Sequence, residues 1–166
     1  SGSELLYPLP KGFCNITEDL QGILMKAILD KQKDPMIPVA QLIIGPCQPK
    51  NSDPEYPWGW VGLMKDSAGI SQELFNTMMA KFITNDDIME KLTKRANKSS
   101  SEALDELFGV EVSHHNNENR IIWADKDSLL VHINAATQVD GILIKEVALS
   151  STTVIEGLYI YTYLYN

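Results

Sequence analysis

Apolar and polar positions along the chain change their period once, near residue 110. Before it, three segments repeat at helical spacing. Leu20, Ile23, Leu24, Ala27 and Ile28 predict an amphipathic helix over residues 18–32 facing a core. Thr17 reads as its N-cap, with Glu18 and Asp19 in the first turn, where acids suit the helix dipole. Ser71 caps a second stretch whose face is Leu74, Phe75, Met78, Met79 and Phe82. Thr84 caps a third, with Ile88 and Leu92 on its face. The polar run 91–101 predicts a break there, followed by a capping box at Ser99 and Glu102 and a C-terminal stop at Gly109.

Between these helices lie two short apolar runs. Val39–Gly45 is bounded by prolines and reads as a buried strand. Trp58–Met64 reads as a second, with Gly59 and Gly62 allowing a bulge or close packing. Pro8 and Pro10 bar a helix from the extended N-terminal stretch. Four prolines at 46, 49, 54 and 57 mark residues 46–57 as an exposed loop.

After residue 110 the period is two. Strands are predicted near 110–114, 119–124, 128–136, 141–149 and 152–165, with turns at Asn116-Asn117 and Asp140-Gly141. Asp140-Gly141 between alternating segments is a type I′ hairpin signal. If Glu156-Gly157 also turns, the end of the chain is an antiparallel meander of 128–139, 142–155 and 158–165. The fold class is therefore α+β: an antiparallel sheet with a C-terminal meander and helices packed on it. Ser1-Gly2-Ser3 reads as a vector-derived scar, and residues 4–166 as a single domain.

Composition narrows the function classes. Hydrophobic residues are 44% and charged residues 22% of 166, an ordinary globular balance. The formal charge is −8, and only Arg95 and Arg120 among the 14 basic residues are arginines. That argues against nucleic-acid binding and against adhesion to an anionic membrane. The apolar runs are too short for a membrane span. Cys14 and Cys47 both sit beside turn residues, and an even count permits one bridge. The alternative is two buried thiols. A bridge places the protein in the periplasm or the extracellular space. Sequons at Asn15 and Asn97 are tripeptides common by chance.

The run Leu9-Pro10-Lys11-Gly12-Phe13-Cys14, followed by a polar-capped helix, an apolar strand and Cys47, resembles a group of uncharacterised bacterial exported proteins that begin with Leu-Pro-x-Gly-Phe-Cys. The resemblance covers about a third of the chain. It implies export, with a removed signal peptide, and a Cys14–Cys47 bridge, and brings no activity. The closing pattern from Ala135-Ala136-Thr137 through Asp140-Gly141 to Thr152–Tyr159 is similar to the meander of the Mog1/PsbP-like fold. Members of that fold are mostly non-enzymatic binding or assembly factors, so this likeness bears on architecture and not on a site.

Motifs for catalysis are weak. His114, His115 and His132 lack the spacing of a zinc site, and a polar strand end explains the first two. Asp125-Lys126-Asp127-Ser128 opens like a calcium loop, but Leu130 and Ala136 occupy the places of the required Gly and Glu, so a turn is expected. Phosphate cradles and a nucleophile elbow are lacking. Neither cysteine lies in a thiol-enzyme context. No metal or cofactor is expected.

Aromatic residues offer binding surfaces instead. Tyr56, Trp58 and Trp60 gather at a loop-to-strand junction, and Tyr159, Tyr161, Tyr163 and Tyr165 alternate onto one face of the last strand. Each set reads either as core packing or as a platform for a protein or carbohydrate. The resulting expectation is a non-catalytic binding protein of the periplasm or secretome, such as an effector, immunity protein or assembly factor. The competing class is a hydrolase with a dispersed catalytic set. An enzyme needs a pocket with converging titratable groups. A binder needs an open patch or a free sheet edge.

Overall fold

The computed structural model describes residues 7–32, 38–47, 57–65, 69–155 and 157–165. It is an α+β fold in which the described residues form seven strands and three helices, in the order β1 (Phe13–Asn15), α1 (Leu20–Lys31), β2 (Val39–Pro46), β3 (Trp58–Lys65), α2 (Gln72–Ile83), α3 (Asp86–Phe108), β4 (Val112–Ala124), β5 (Leu129–Val139), β6 (Ile142–Ile155) and β7 (Leu158–Tyr165). All strand pairs are antiparallel, in the spatial order β1-β2-β3-β7-β6-β5-β4. Two meanders, β1–β3 and β4–β7, thus meet where β7 lies between β3 and β6.

The C-terminal meander follows the sequence pattern closely. Asp140 and Gly141 both take positive φ, 47° and 85°, which is what a two-residue type I′ loop requires. Residues 112–124 form one strand and not two. Asn116-Asn117 lies at a bulge, where the pairing with β5 shifts between His115 and Glu118, so the polar pair bends the strand without reversing it.

The helices depart more from expectation. α1 begins at Leu20, with Asp19 as N-cap. Thr17 does not cap it; the Thr17 hydroxyl accepts from the Ile43 N–H at 2.8 Å and holds the chain against β2. Leu20 is 77% exposed, and Ile23 and Leu24 are also exposed, whereas Gly22, Met25 and Leu29 face the sheet. The rotation follows from a close approach: a Cβ at Gly22 would lie 1.7 Å from the Ile16 carbonyl oxygen. α2 is rotated in the same way. Phe75, Met79 and Ile83 pack inward, but Leu74 and Met78 are exposed. Two amides set this angle. Buried Gln72 accepts from the Val154 N–H at 2.6 Å, and Asn76 donates to the Asp125 carbonyl at 2.7 Å. α3 is capped by Asn85, whose Oδ1 accepts from the Ile88 N–H; Thr84 instead donates to the Ala80 carbonyl and closes α2. α3 runs unbroken from 86 to 108 and ends at Gly109, so the Ser99 capping box is absorbed within the helix. Ala103 is buried where α3 meets the rest of the fold.

α1 covers Ala40, Ile43 and Trp60, and α2 covers Leu129, Val131 and Tyr159. By strand register these residues share one face of the sheet. α3 packs on both other helices and on β4, so the helices form a single layer on that face. Cys14 and Cys47 form a disulfide, with sulfurs 2.06 Å apart, that ties β1 to the end of β2.

Opening this bridge, by reduction or by Cys14→Ser with Cys47→Ser, should lower stability by about 3–4 kcal/mol, the chain-entropy value for a loop of this length. Chemical denaturation with and without reductant measures it. An unchanged midpoint would show that the bridge is energetically idle.

Candidate interaction surface

The aromatic residues singled out by the sequence do come together, but under the helices. Trp58 stacks on Tyr165 and Trp60 on Tyr163, both with ring centroids 4.5 Å apart. These are directly opposed pairs of β3 and β7. The stack continues through Tyr161 to Tyr159, which meets Phe75 of α2 at a tilt of 55°. Trp60 is 4% exposed and Tyr159 is equally buried, while Trp58, Tyr161, Tyr163 and Tyr165 are half-buried. Trp60 is therefore a core residue and not a surface anchor, and the tyrosine ladder is a packed face and not an open platform. Tyr56 lies outside the described residues, as does most of the 46–57 loop expected to rim that platform.

Gly62 makes the packing of Trp60 possible. A Cβ at Gly62 would sit 2.3 Å from the six-membered ring of Trp60 and 2.9 Å from Pro38 Cβ. The indole thus lies flat over the glycine, with its N–H buried. Buried hydroxyls surround this part of the core: Ser150 and Thr152 of β6 face the same side as Tyr163 and Tyr161. Burial pushes the hydroxyls of Tyr163 and Tyr165 well above the ordinary tyrosine range, so both stay protonated. Glu146 lies on this face of β6, two residues past the end of the β7 pairing. Its carboxyl is raised above the ordinary Glu range by burial.

The other candidates resolve into structural roles. Asp125 Oδ1 accepts from the Asp127 and Ser128 N–H groups, and Oδ2 from the Trp123 indole, forming the expected turn between β4 and β5. These bonds, the indole's first, hold the Asp125 carboxyl below the usual carboxylate range. His114 and His115 pair in register with Thr137 and Ala136, and His132 with Arg120 and Leu149; the side chains of the first two fall outside what is described. No group of three His, Cys, Asp or Glu side chains converges among the described residues. Among the described residues, surface hollows of about 400 and 250 Å³ stand out. The larger is lined at the end of α3 by Ser101, Glu102, Asp105 and Glu111, and there the Ser101 hydroxyl is engaged with the Val112 carbonyl at 2.8 Å.

The smaller hollow lies on the face of the sheet away from the helices, between Tyr7, Ile155 and Thr162. The extended N-terminal segment crosses here, with the Tyr7 hydroxyl 2.8 Å from Thr162 Oγ1. On this same face Ile44, Val61 and Ile160 are buried. The β4–β6 half of the face is open. Trp123 is 59% exposed, Leu143 55%, Val147 43% and Leu149 37%. Register places all four on the side opposite the helices, with Val147 and Leu149 adjacent on β6 and with Trp123 and Leu143 toward opposite ends of the meander. The sequence carried one signal of this surface, in that Ile142, Leu143 and Ile144 are consecutive. Strict alternation fails there, which puts apolar side chains on both faces.

No family model, no curated protein and no solved structure matches this chain.

Two outcomes follow from the core beneath the helices. Gly62→Ala should cost about 1–3 kcal/mol, as overpacking does, and much less when combined with Trp60→Leu. A double-mutant cycle of denaturation midpoints reads the coupling; additive costs would separate Gly62 from the indole. Glu146→Gln should be more stable than the parent at pH 7. The raised carboxyl contributes fully only below its unfolded value, near 4.3, and that contribution is lost as pH rises through the folded value. The advantage of the glutamine should therefore shrink toward pH 4 in thermal melts, and a pH-independent difference would contradict the burial effect.

Proposed function

We propose that this chain is a non-catalytic binding protein of the bacterial periplasm or extracellular space, and that it docks a protein partner on the open half of its sheet. One observation carries the reading: all three helices lie on one face, leaving Trp123, Leu143, Val147 and Leu149 uncovered together on the other. Exposed single apolar residues are ordinary, but four on one face of a rigid sheet, with Val147 and Leu149 adjacent between the other two, point to an interaction site. Trp123 is suited to an anchor, because its ring offers a large contact area and its indole N–H is held by Asp125. The disulfide supports residence in an oxidising compartment, in line with the likeness of the N-terminal motif to exported proteins. No helix among the described residues is long and apolar enough to cross a membrane. The acidic balance of −8 favours a neutral or basic partner.

Leu143→Glu and Val147→Glu, both at exposed positions, should leave the melting temperature nearly unchanged and abolish capture of the partner. The test is affinity purification from periplasmic extract and from host-cell lysate with parent and variant proteins side by side, followed by mass spectrometry. A protein retained by the parent and lost with the folded variants is the expected result. Equal retention by both would move the docking site off this face.

A further inference from the structure

Among the described residues the sheet ends on one side at β4, a strand of 13 residues that pairs there only with β5. A long edge strand presents unpaired backbone groups, and proteins blunt such edges with bulges and charges. β4 carries both. Its pairing shifts between His115 and Glu118 and again between Ile121 and Trp123. Between the two shifts, Glu118, Asn119, Arg120 and Ile121 pair regularly with Asn134, Ile133, His132 and Val131. This short straight stretch is where a further strand can add in register.

We propose that the added strand is β4 of a second copy of this chain. Two identical edges pair antiparallel about a two-fold axis normal to the sheet, and only residues on the same face can then oppose each other. Glu118 and Arg120 are two apart and share a face, the open one, as their pairing with Asn134 and His132 shows. An axis at Asn119 sets Glu118 opposite Arg120 of the second copy, and Arg120 opposite Glu118 of the second copy. An axis at Glu118 or at Arg120 instead sets like charges directly opposite each other. An axis at Ile121 opposes neither charge with its opposite. The strand thus specifies one register by charge, and that register is self-complementary. Both side chains are available, since neither is in an ion pair among the described residues. Ile122 and Trp123, 47% and 59% exposed, flank the stretch and supply the apolar area that a short strand pair lacks. The two sheets become one, and the open faces of both copies lie on the same side. The pairing shares Trp123 with the docking face proposed above, and its charge register rests on Glu118 and Arg120 alone.

The experiment is sedimentation equilibrium of the parent and of charge variants, with circular dichroism melts to verify folding. The parent should show a concentration-dependent dimer. Arg120→Glu places four carboxylates at the axis and Glu118→Arg four guanidinium groups, so each alone should weaken the dimer by at least about tenfold. An equimolar mixture of these two variants should restore association as a heterodimer, and the chain carrying both substitutions should dimerise like the parent. That rescue separates lost pairing from lost folding. A parent that stays monomeric to several hundred micromolar, single variants that dimerise unchanged, or a mixture that fails to associate would each overturn the proposal, the first also leaving the edge open to a foreign strand.

Discussion

The insertion of β7 between β3 and β6 is the constraint on which the rest of the structure depends. Without it there are two separate meanders, each with an exposed edge. With it there is one sheet, and the two hydrophobic clusters become continuous. Trp60 belongs to the cluster under α1, and Tyr159 to the cluster under α2. The tyrosines of β7 bridge them ring by ring, from Tyr163 through Tyr161 to Tyr159. Opposed aromatic pairs contribute about 0.5–1.5 kcal/mol each beyond the area they bury. The paired strands are about a hundred residues apart in sequence, so the closure entropy for this pairing is met late and only once.

That closure also decides which side of the sheet is dry. The aromatic face is thick and apolar, and the links β1–β2 and β3–β4 carry their helices across it. The opposite face receives the N-terminal segment over its β2–β3–β7 half and nothing described over the remainder. A half-covered sheet is consistent with an antiparallel architecture, in which one face packs on the core and the other meets solvent. Here the uncovered half retains Trp, Leu and Val side chains, and the edge beside it carries paired opposite charges. Both features lie on the C-terminal meander, away from the face that the helices cover, and both are built on strands and not on loops. Any partner would therefore meet a rigid surface.

Local chemistry was the legible part. Asp140-Gly141 announced its turn because few other residues accept two positive φ values in succession. Leu158–Tyr165 announced a strand because its alternation has no fault. Gly109 ended its helix, and the cysteines beside turns found each other. Where the sequence reading departed from the structure, a competing interaction had been out of view. The polar run 91–101 is helical because the exposed side of a long helix may be polar throughout. Thr17 does not cap α1 because Ile43, a distant strand residue, offers its hydroxyl a better partner.

The chain by itself determined the fold class, the hairpin at Asp140-Gly141 and the alternation that puts the tyrosines of β7 on one side; the bridge was one of two readings it offered, and the limits of the meander followed only if Glu156-Gly157 turned. These rest on periods and turn residues, which act over a few positions. Only the tertiary structure decided that Trp60 is core, that α1 and α2 present sides other than their most apolar ones, and that one sheet face stays open. The reason is the same in each case. A helix or strand pattern tells which residues share a side, but which side is covered depends on contacts such as Gly22 against Ile16, Gln72 against Val154 and the Trp60 ring over Gly62. Those contacts join residues far apart in the chain, and no local pattern encodes them.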